Sequence, residues 1–91
     1  MRFGWNETKR RRNLRDHGID FTMVYQFSWD YAQRTIDDRE DYGELREKAV
    51  GLIGDVPHVV IFTERQNDRG DLIWVISLRK ANRKERMDYE R

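Results

Sequence analysis

Cysteine is absent from the 91 residues, proline occurs once and histidine twice. Without thiols the chain can be stapled neither by disulfides nor by a thiolate zinc site, and two histidines make a poor transition-metal site. The same absence fits a reducing compartment, and a cytoplasmic localisation is expected. Long apolar runs are also missing. The longest stretches, Val59 to Phe62 and Leu72 to Ile76, fall far short of the roughly 18 residues that a membrane span needs. Met1 to Arg12 carries Trp5 and clustered arginines where a signal peptide would place its apolar segment. No glycine-rich phosphate loop, Gly-x-Ser-x-Gly elbow or His-Glu-x-x-His helix occurs, so neither a cofactor nor a metal is expected.

What the chain does have is charge, at 38% of residues, beside 37% apolar and 12% aromatic residues. That is enough apolar material for one small core, and residues 1–91 are expected to form a single domain. A domain of this size buries only about 60% of its unfolded surface, which makes a stabilising partner a reasonable expectation. The net charge of +1 conceals an uneven distribution. Residues 1–20 carry six basic side chains against three acidic ones, residues 30–48 four against seven, and residues 79–91 six against three. If the two basic ends meet in the fold, they form a surface suited to a polyphosphate ligand; otherwise they are solvated helix faces laced by i,i+4 ion pairs.

Local patterns give the order β, α, α, β, β, β, β, α. Phe3 and Trp5 alternate as in a short edge strand. Asn6 can cap a polar helix over Glu7 to Asp16 that stops at Gly18, with Lys9, Asn13 and His17 on one face. Asp20 can cap a second, core-packed helix over Phe21 to Ser28. Gln33 to Ile36, Arg46 to Ile53, His58 to Thr63 and Leu72 to Leu78 read as strands, and their short links predict an antiparallel sheet of three to five strands. Asn82 followed by Glu85 is a capping-box variant that opens a terminal helix over Arg83 to Tyr89. The expected class is therefore α+β, with two N-terminal helices, an antiparallel sheet and a C-terminal helix.

Cleaving RNA without a metal requires cations for the phosphorane charge and groups that move protons. Arg65, Arg79 and Arg83 can supply the charge, and Glu64, Asp68 or His17 can take a proton. Glu64 also reads as an ordinary hairpin residue, and His17 as a helix-terminal cation. Lys9, Arg12, His17, Lys80 and Arg86 are the candidate RNA contacts. Trp74 is the candidate anchor for a protein partner. Residues alone stop at a small basic-ended domain that binds RNA.

Several blocks carry a resemblance that reaches further. Phe3-Gly4-Trp5-Asn6-Glu7-Thr8-Lys9, Asn13-Leu14-Arg15-Asp16-His17-Gly18-Ile19-Asp20-Phe21, Gly43-Glu44-Leu45-Arg46 and Val75-Ile76-Ser77-Leu78-Arg79-Lys80-Ala81-Asn82-Arg83-Lys84-Glu85-Arg86 resemble the BrnT-type toxins of bacterial type II toxin–antitoxin pairs. The resemblance runs from end to end, although Asn6 stands where the family usually has Asp. It implies a RelE-like fold and a metal-independent ribonuclease that arrests translation. It also implies neutralisation by a cognate BrnA-type antitoxin, through which alone the toxin reaches operator DNA. By that similarity Arg65 and Arg79 match positions implicated in toxicity, with Arg83 as a companion. The competing expectation is a non-catalytic RNA- or protein-binding module of the same fold.

Overall fold

A computed structural model describes residues 1–91. Its elements are β1 (Phe3–Trp5), α1 (Glu7–His17), two 3-10 turns (Phe21–Gln26 and Trp29–Tyr31), β2 (Gln33–Ile36), β3 (Glu47–Ile53), β4 (Val56–Asn67), β5 (Gly70–Lys80) and α2 (Arg83–Tyr89). Asparagines start both helices: the Asn6 side chain accepts from the Lys9 N–H at 3.1 Å, and Asn82 and Glu85 satisfy each other's N–H groups in a reciprocal box. Gly18 ends α1 in the left-handed region, φ 71°, where its N–H reaches the Leu14 carbonyl at 2.8 Å.

The expected pair of N-terminal helices is corrected. Only α1 is an α-helix; Phe21 to Ser28 instead folds as the 3-10 turn Phe21–Gln26 before running extended at Phe27. The spacing explains the difference. Phe21, Val24 and Phe27 recur every third residue, and at three residues per turn all three point the same way, into the core, where each is at least 96% buried. Asp20 caps this turn as it would a helix, accepting from the Thr22 N–H at 3.0 Å.

The sheet has the order β1-β5-β4-β3-β2. Its β2 to β5 portion is antiparallel, but β1 runs parallel to β5, pairing Phe3 with Ile73 and Trp5 with Val75, so the sheet is mixed and not antiparallel throughout. No tight turn joins β1 to β5, and nothing in the chain forces that pair to be antiparallel. The β4–β5 hairpin is also longer than its apolar pattern suggests, continuing through Glu64 to Asn67 and turning at Asp68 and Arg69. A bulge between Ile61 and Phe62 of the β4 register leaves Ile76 as the extra residue on β5.

The sheet carries a core on each face. Ala49, Val60, Phe62, Ile73, Val75 and Leu78 face the 3-10 turns and pack with Phe21, Val24 and Phe27 on what we call the inner face. Val50, Val59 and Ile61 project from the outer face and pack with Ala81 and Tyr89, around the terminal helix. Gly51 belongs to the inner face, where a Cβ would lie 2.7 Å from the Phe27 ring; only glycine lets that ring approach.

Beyond Val75 the outer edge of β5 has no strand beside it. Asn13, in the middle of α1, takes that place: its amide donates to the Leu78 carbonyl at 2.7 Å and to the Ile19 carbonyl at 2.9 Å, and its side-chain oxygen accepts from the Leu78 N–H at 3.2 Å. One buried side chain thus caps the sheet edge, fixes the α1 exit and joins residues 65 positions apart. Asn13→Ala strands both backbone groups of Leu78, and we expect it to cost about 2 kcal/mol or more, read as a lowered urea midpoint at constant slope. An unchanged midpoint would mean that the β5 edge is satisfied some other way.

Candidate nucleic-acid interface

The alternation of β4 sorts the candidate residues by face. His58, Val60, Phe62 and Glu64 lie on the inner side, and Val59, Ile61, Thr63 and Arg65 on the outer side. Glu64 is therefore across the sheet from Arg65. Its carboxylate accepts from Arg34 at 2.9 Å, and the same guanidinium contacts Glu47 at 3.1 Å and lies over the Phe62 ring. Hydrogen bonds to Glu64 and Glu47 raise the Arg34 pKa, so it stays charged. Arg65 sits over the half-buried Trp74 ring, 4.3 Å from its centroid, and reaches Glu44 at 3.5 Å. Trp74 rests above Gly4, where a Cβ would meet the ring at 3.1 Å.

Arg79 shares the outer face with Arg65 but not its neighbourhood. In the β4–β5 register Arg79 opposes Val59 and Arg65 opposes Leu72, which separates them by about 20 Å of strand at roughly 3.3 Å per residue. Arg79 instead forms a fork with Glu85 of α2, at 2.7 and 2.9 Å, and Lys48 of β3 reaches the same carboxylate at 2.6 Å. Glu85 is buried and also accepts the Asn82 N–H. Hydrogen bonds from Arg79 first, then Lys48 and the Asn82 backbone, hold its pKa down to about 2 against the opposing effect of burial. Beside this triad a cleft of about 230 Å³ is bounded by Thr35, Asp37, Arg39, Lys48, Ile61 and Arg79. Asp37 is buried there, and the Arg39 guanidinium, bonded to it at 2.7 and 2.9 Å, lowers its pKa.

Ion pairing divides the cations into two groups. Ten of the 18 lysines and arginines pair with a carboxylate, Arg79, Lys48, Arg65 and Arg34 among them. Of the eight that form no ion pair, Arg2 and Arg69 lie at the β4–β5 hairpin, and the other six, Lys9, Arg12, Lys80, Arg83, Lys84 and Arg86, are all exposed. These six come from the two basic ends of the chain, which Asn13 ties together at Leu78. Lys9, Arg12 and His17 line one groove of about 190 Å³ with Asn13, Asp16 and Ile76, the residue that the bulge displaces. Lys80, by strand alternation, projects opposite to Arg79, and Arg86 lies on α2. The candidate contacts therefore form an α1 cluster and an α2 cluster flanking the end of β5.

The family described as "Ribonuclease toxin, BrnT, of type II toxin-antitoxin system" matches residues 5–85. The chain belongs to that family. It is accordingly a ribonuclease toxin of a type II toxin–antitoxin system, with an antitoxin as partner. No curated protein matches it at a significant level. No helix of this BrnT chain is long and apolar enough to cross a membrane.

Two residues of the BrnT outer face escape a reading by motif. Lys48 looks like the polar half of an alternating strand, and Glu85 like a capping residue only. A usable signal exists for Lys48: it shares its face with Val50 and Leu52 on a strand beside the doubly apolar β4, where a cation needs a carboxylate. For Asn13 the signal is an amide residue in mid-helix, where it is a poor helix former unless its side chain bonds elsewhere. Because the Glu85 pKa is depressed, its contribution is complete above about pH 4.5 and is lost as pH falls toward about 2. Glu85→Gln keeps a side chain that the capping box accepts but removes the charge. We expect it to lower the pH 7 melting temperature by about 10 °C, the scale of about 2 kcal/mol in a domain this size. The gap from wild type should narrow below pH 4.5, and a constant gap from pH 7 to 2 would show that Glu85 acts through packing alone.

Proposed function

We propose that this BrnT toxin is a metal-independent endoribonuclease that arrests translation in the cytoplasm. A BrnA-type antitoxin neutralises it and carries the contact with operator DNA, and residues 1–91 act as one toxin domain. The observation that supports RNA as the ligand is a cluster of unpaired cations: Lys48 and Arg79 are spent on the buried Glu85, whereas Lys9, Arg12, Lys80, Arg83, Lys84 and Arg86 have no carboxylate partner and flank the end of β5 from both basic segments. A phosphate backbone is the partner that such a surface lacks. Lys9, Arg12, Lys80 and Arg86 are assigned to phosphate contacts.

Arg65, Arg79 and Arg83 are assigned to the phosphate charge of the bound RNA; about 20 Å of strand separates Arg65 from Arg79, so these two meet different phosphates, and the three differ in availability. Arg83 is exposed and unpaired. Arg65 is half-exposed over Trp74, a ring that can stack a base once the guanidinium turns to phosphate. Arg79 retains donors beyond its fork with Glu85 but also compensates that buried carboxylate. Glu64, bonded to Arg34 across the sheet, is left without a place in the reaction. Trp74, tied to Arg65, belongs with the RNA surface at least as well as with a protein interface.

Antitoxin-free protein should degrade RNA in EDTA, because the charge is supplied by arginines; loss of all cleavage on chelation would overturn metal independence. Arg65→Ala and Arg83→Ala should each lower turnover about 100-fold, the scale for removing one preorganised donor, with little change in melting temperature. RNA that binds yet stays intact would return the protein to the class of binding modules.

A salt series reads the phosphate contacts directly. With cleavage slowed by Arg83→Ala, Lys9→Ala and Lys80→Ala should each reduce the slope of log affinity against log salt by about 0.7. If Lys80→Ala does so and Lys9→Ala does not, the RNA path leaves α1 out.

A further inference from the structure

Cleavage through a 2′-hydroxyl needs a side chain that exchanges a proton near neutral pH. The carboxylates beside the outer-face arginines are poorly suited. Glu85 is fixed in its ionised form by two cations, Asp37 is held ionised by Arg39, and Glu44 lies beside Arg65. Glu64 is on the wrong face. Of the two histidines, His58 is buried, with Nδ1 2.7 Å from the Val56 carbonyl. His17 is exposed at the end of α1, in the groove that also holds the unpaired Lys9 and Arg12.

Resting on the ribonuclease reading above, we propose that His17 is the group that takes the 2′-hydroxyl proton of an RNA strand lying in the α1 groove. Lys9, Asn13 and His17 stand one turn apart on the same helix face. Asn13 is locked to β5, which fixes the height of that face against the sheet edge. The bulge turns Ile76 toward it as an apolar floor. The charged groups facing His17 are Lys9, Arg12 and Asp16 from α1, with Asp16 held by Arg15 Nε at 3.1 Å; β5 contributes only Ile76 to the groove.

The step balances with water as the only co-reactant. The imidazole accepts the 2′-hydroxyl proton as the 2′-oxygen bonds to phosphorus. The bond from phosphorus to the 5′-oxygen breaks, and that oxygen leaves with a proton from water. Lys9 and Arg12 neutralise the phosphoryl oxygens. The products are a 2′,3′-cyclic phosphate and a 5′-hydroxyl, and the imidazolium returns its proton to solvent.

The test uses full-length, antitoxin-free protein and an end-labelled single-stranded RNA in EDTA. Wild type should leave 2′,3′-cyclic phosphate ends, and its kcat/KM should show an acidic limb, falling as the proton acceptor becomes protonated. His17→Gln should lower kcat about 100-fold or more, leave KM within about threefold because Lys9 and Arg12 remain, and erase that limb. His17→Ala should regain several-fold activity with added imidazole. Both variants should melt within a few degrees of wild type, since the side chain is exposed. A cleaving wild type whose His17→Gln variant keeps its rate and pH profile overturns the assignment and leaves the ribonuclease reading standing. A wild type that cleaves nothing overturns both.

Discussion

The amide of Asn13 reads a backbone as another strand would, offering one donor and one acceptor to Leu78. Much of the molecule's arrangement depends on that substitution of side chain for strand. β1 covers only three residues of β5, and an uncapped remainder would present a bare edge to other chains. A longer β1 would close the edge but would push α1 and its cations away from the strand's end. With Asn13 in place the strand is short, the helix lies alongside, and the N-terminal basic cluster stands next to the C-terminal one.

A second constraint comes from Glu85. A buried carboxylate is expensive unless compensated, and it is compensated here by one cation from β3, one from β5 and the backbone of its own helix start. The triad docks a seven-residue helix that has few apolar contacts of its own. It also decides which basic residues are available for a ligand. In a chain so rich in charge, the useful distinction is between cations consumed by the fold and cations left over, and six of those left over stand in the two basic ends of the sequence.

Much of this was legible beforehand. Asn6, Gly18 and the Asn82–Glu85 box mark helix limits by local chemistry, which needs no tertiary information, and they fall where the sequence places them. The segment after Asp20 misleads because an apolar arc satisfies both a 3.6- and a 3.0-residue period over one turn or two; the third-residue recurrence through Phe27 tips it to 3-10. The parallel partner of β1 was hidden, since no local signal encodes a pairing across 70 residues. Among site residues, side of the sheet was the missing variable. Glu64 and Arg65 are neighbours in sequence and opposites in space, a consequence of β4 continuing four residues past its apolar run.

The parallel seam between β1 and β5 has a consequence for the order of events in synthesis. The first strand must wait for the last: Phe3 to Trp5 find their partners only when Ile73 to Val75 have left the ribosome. Closing so long a loop costs chain entropy that is recovered only once the pairing forms, so the seam closes late. Leu78, the partner of Asn13, is made later still, and Glu85 after it. The two clusters of unpaired cations therefore cannot stand beside each other until those residues have been made, and an unfinished chain carries the N-terminal cluster without the surface that orients it. For a toxin made in the company of ribosomes and RNA, completeness of the polypeptide is itself a condition of assembly.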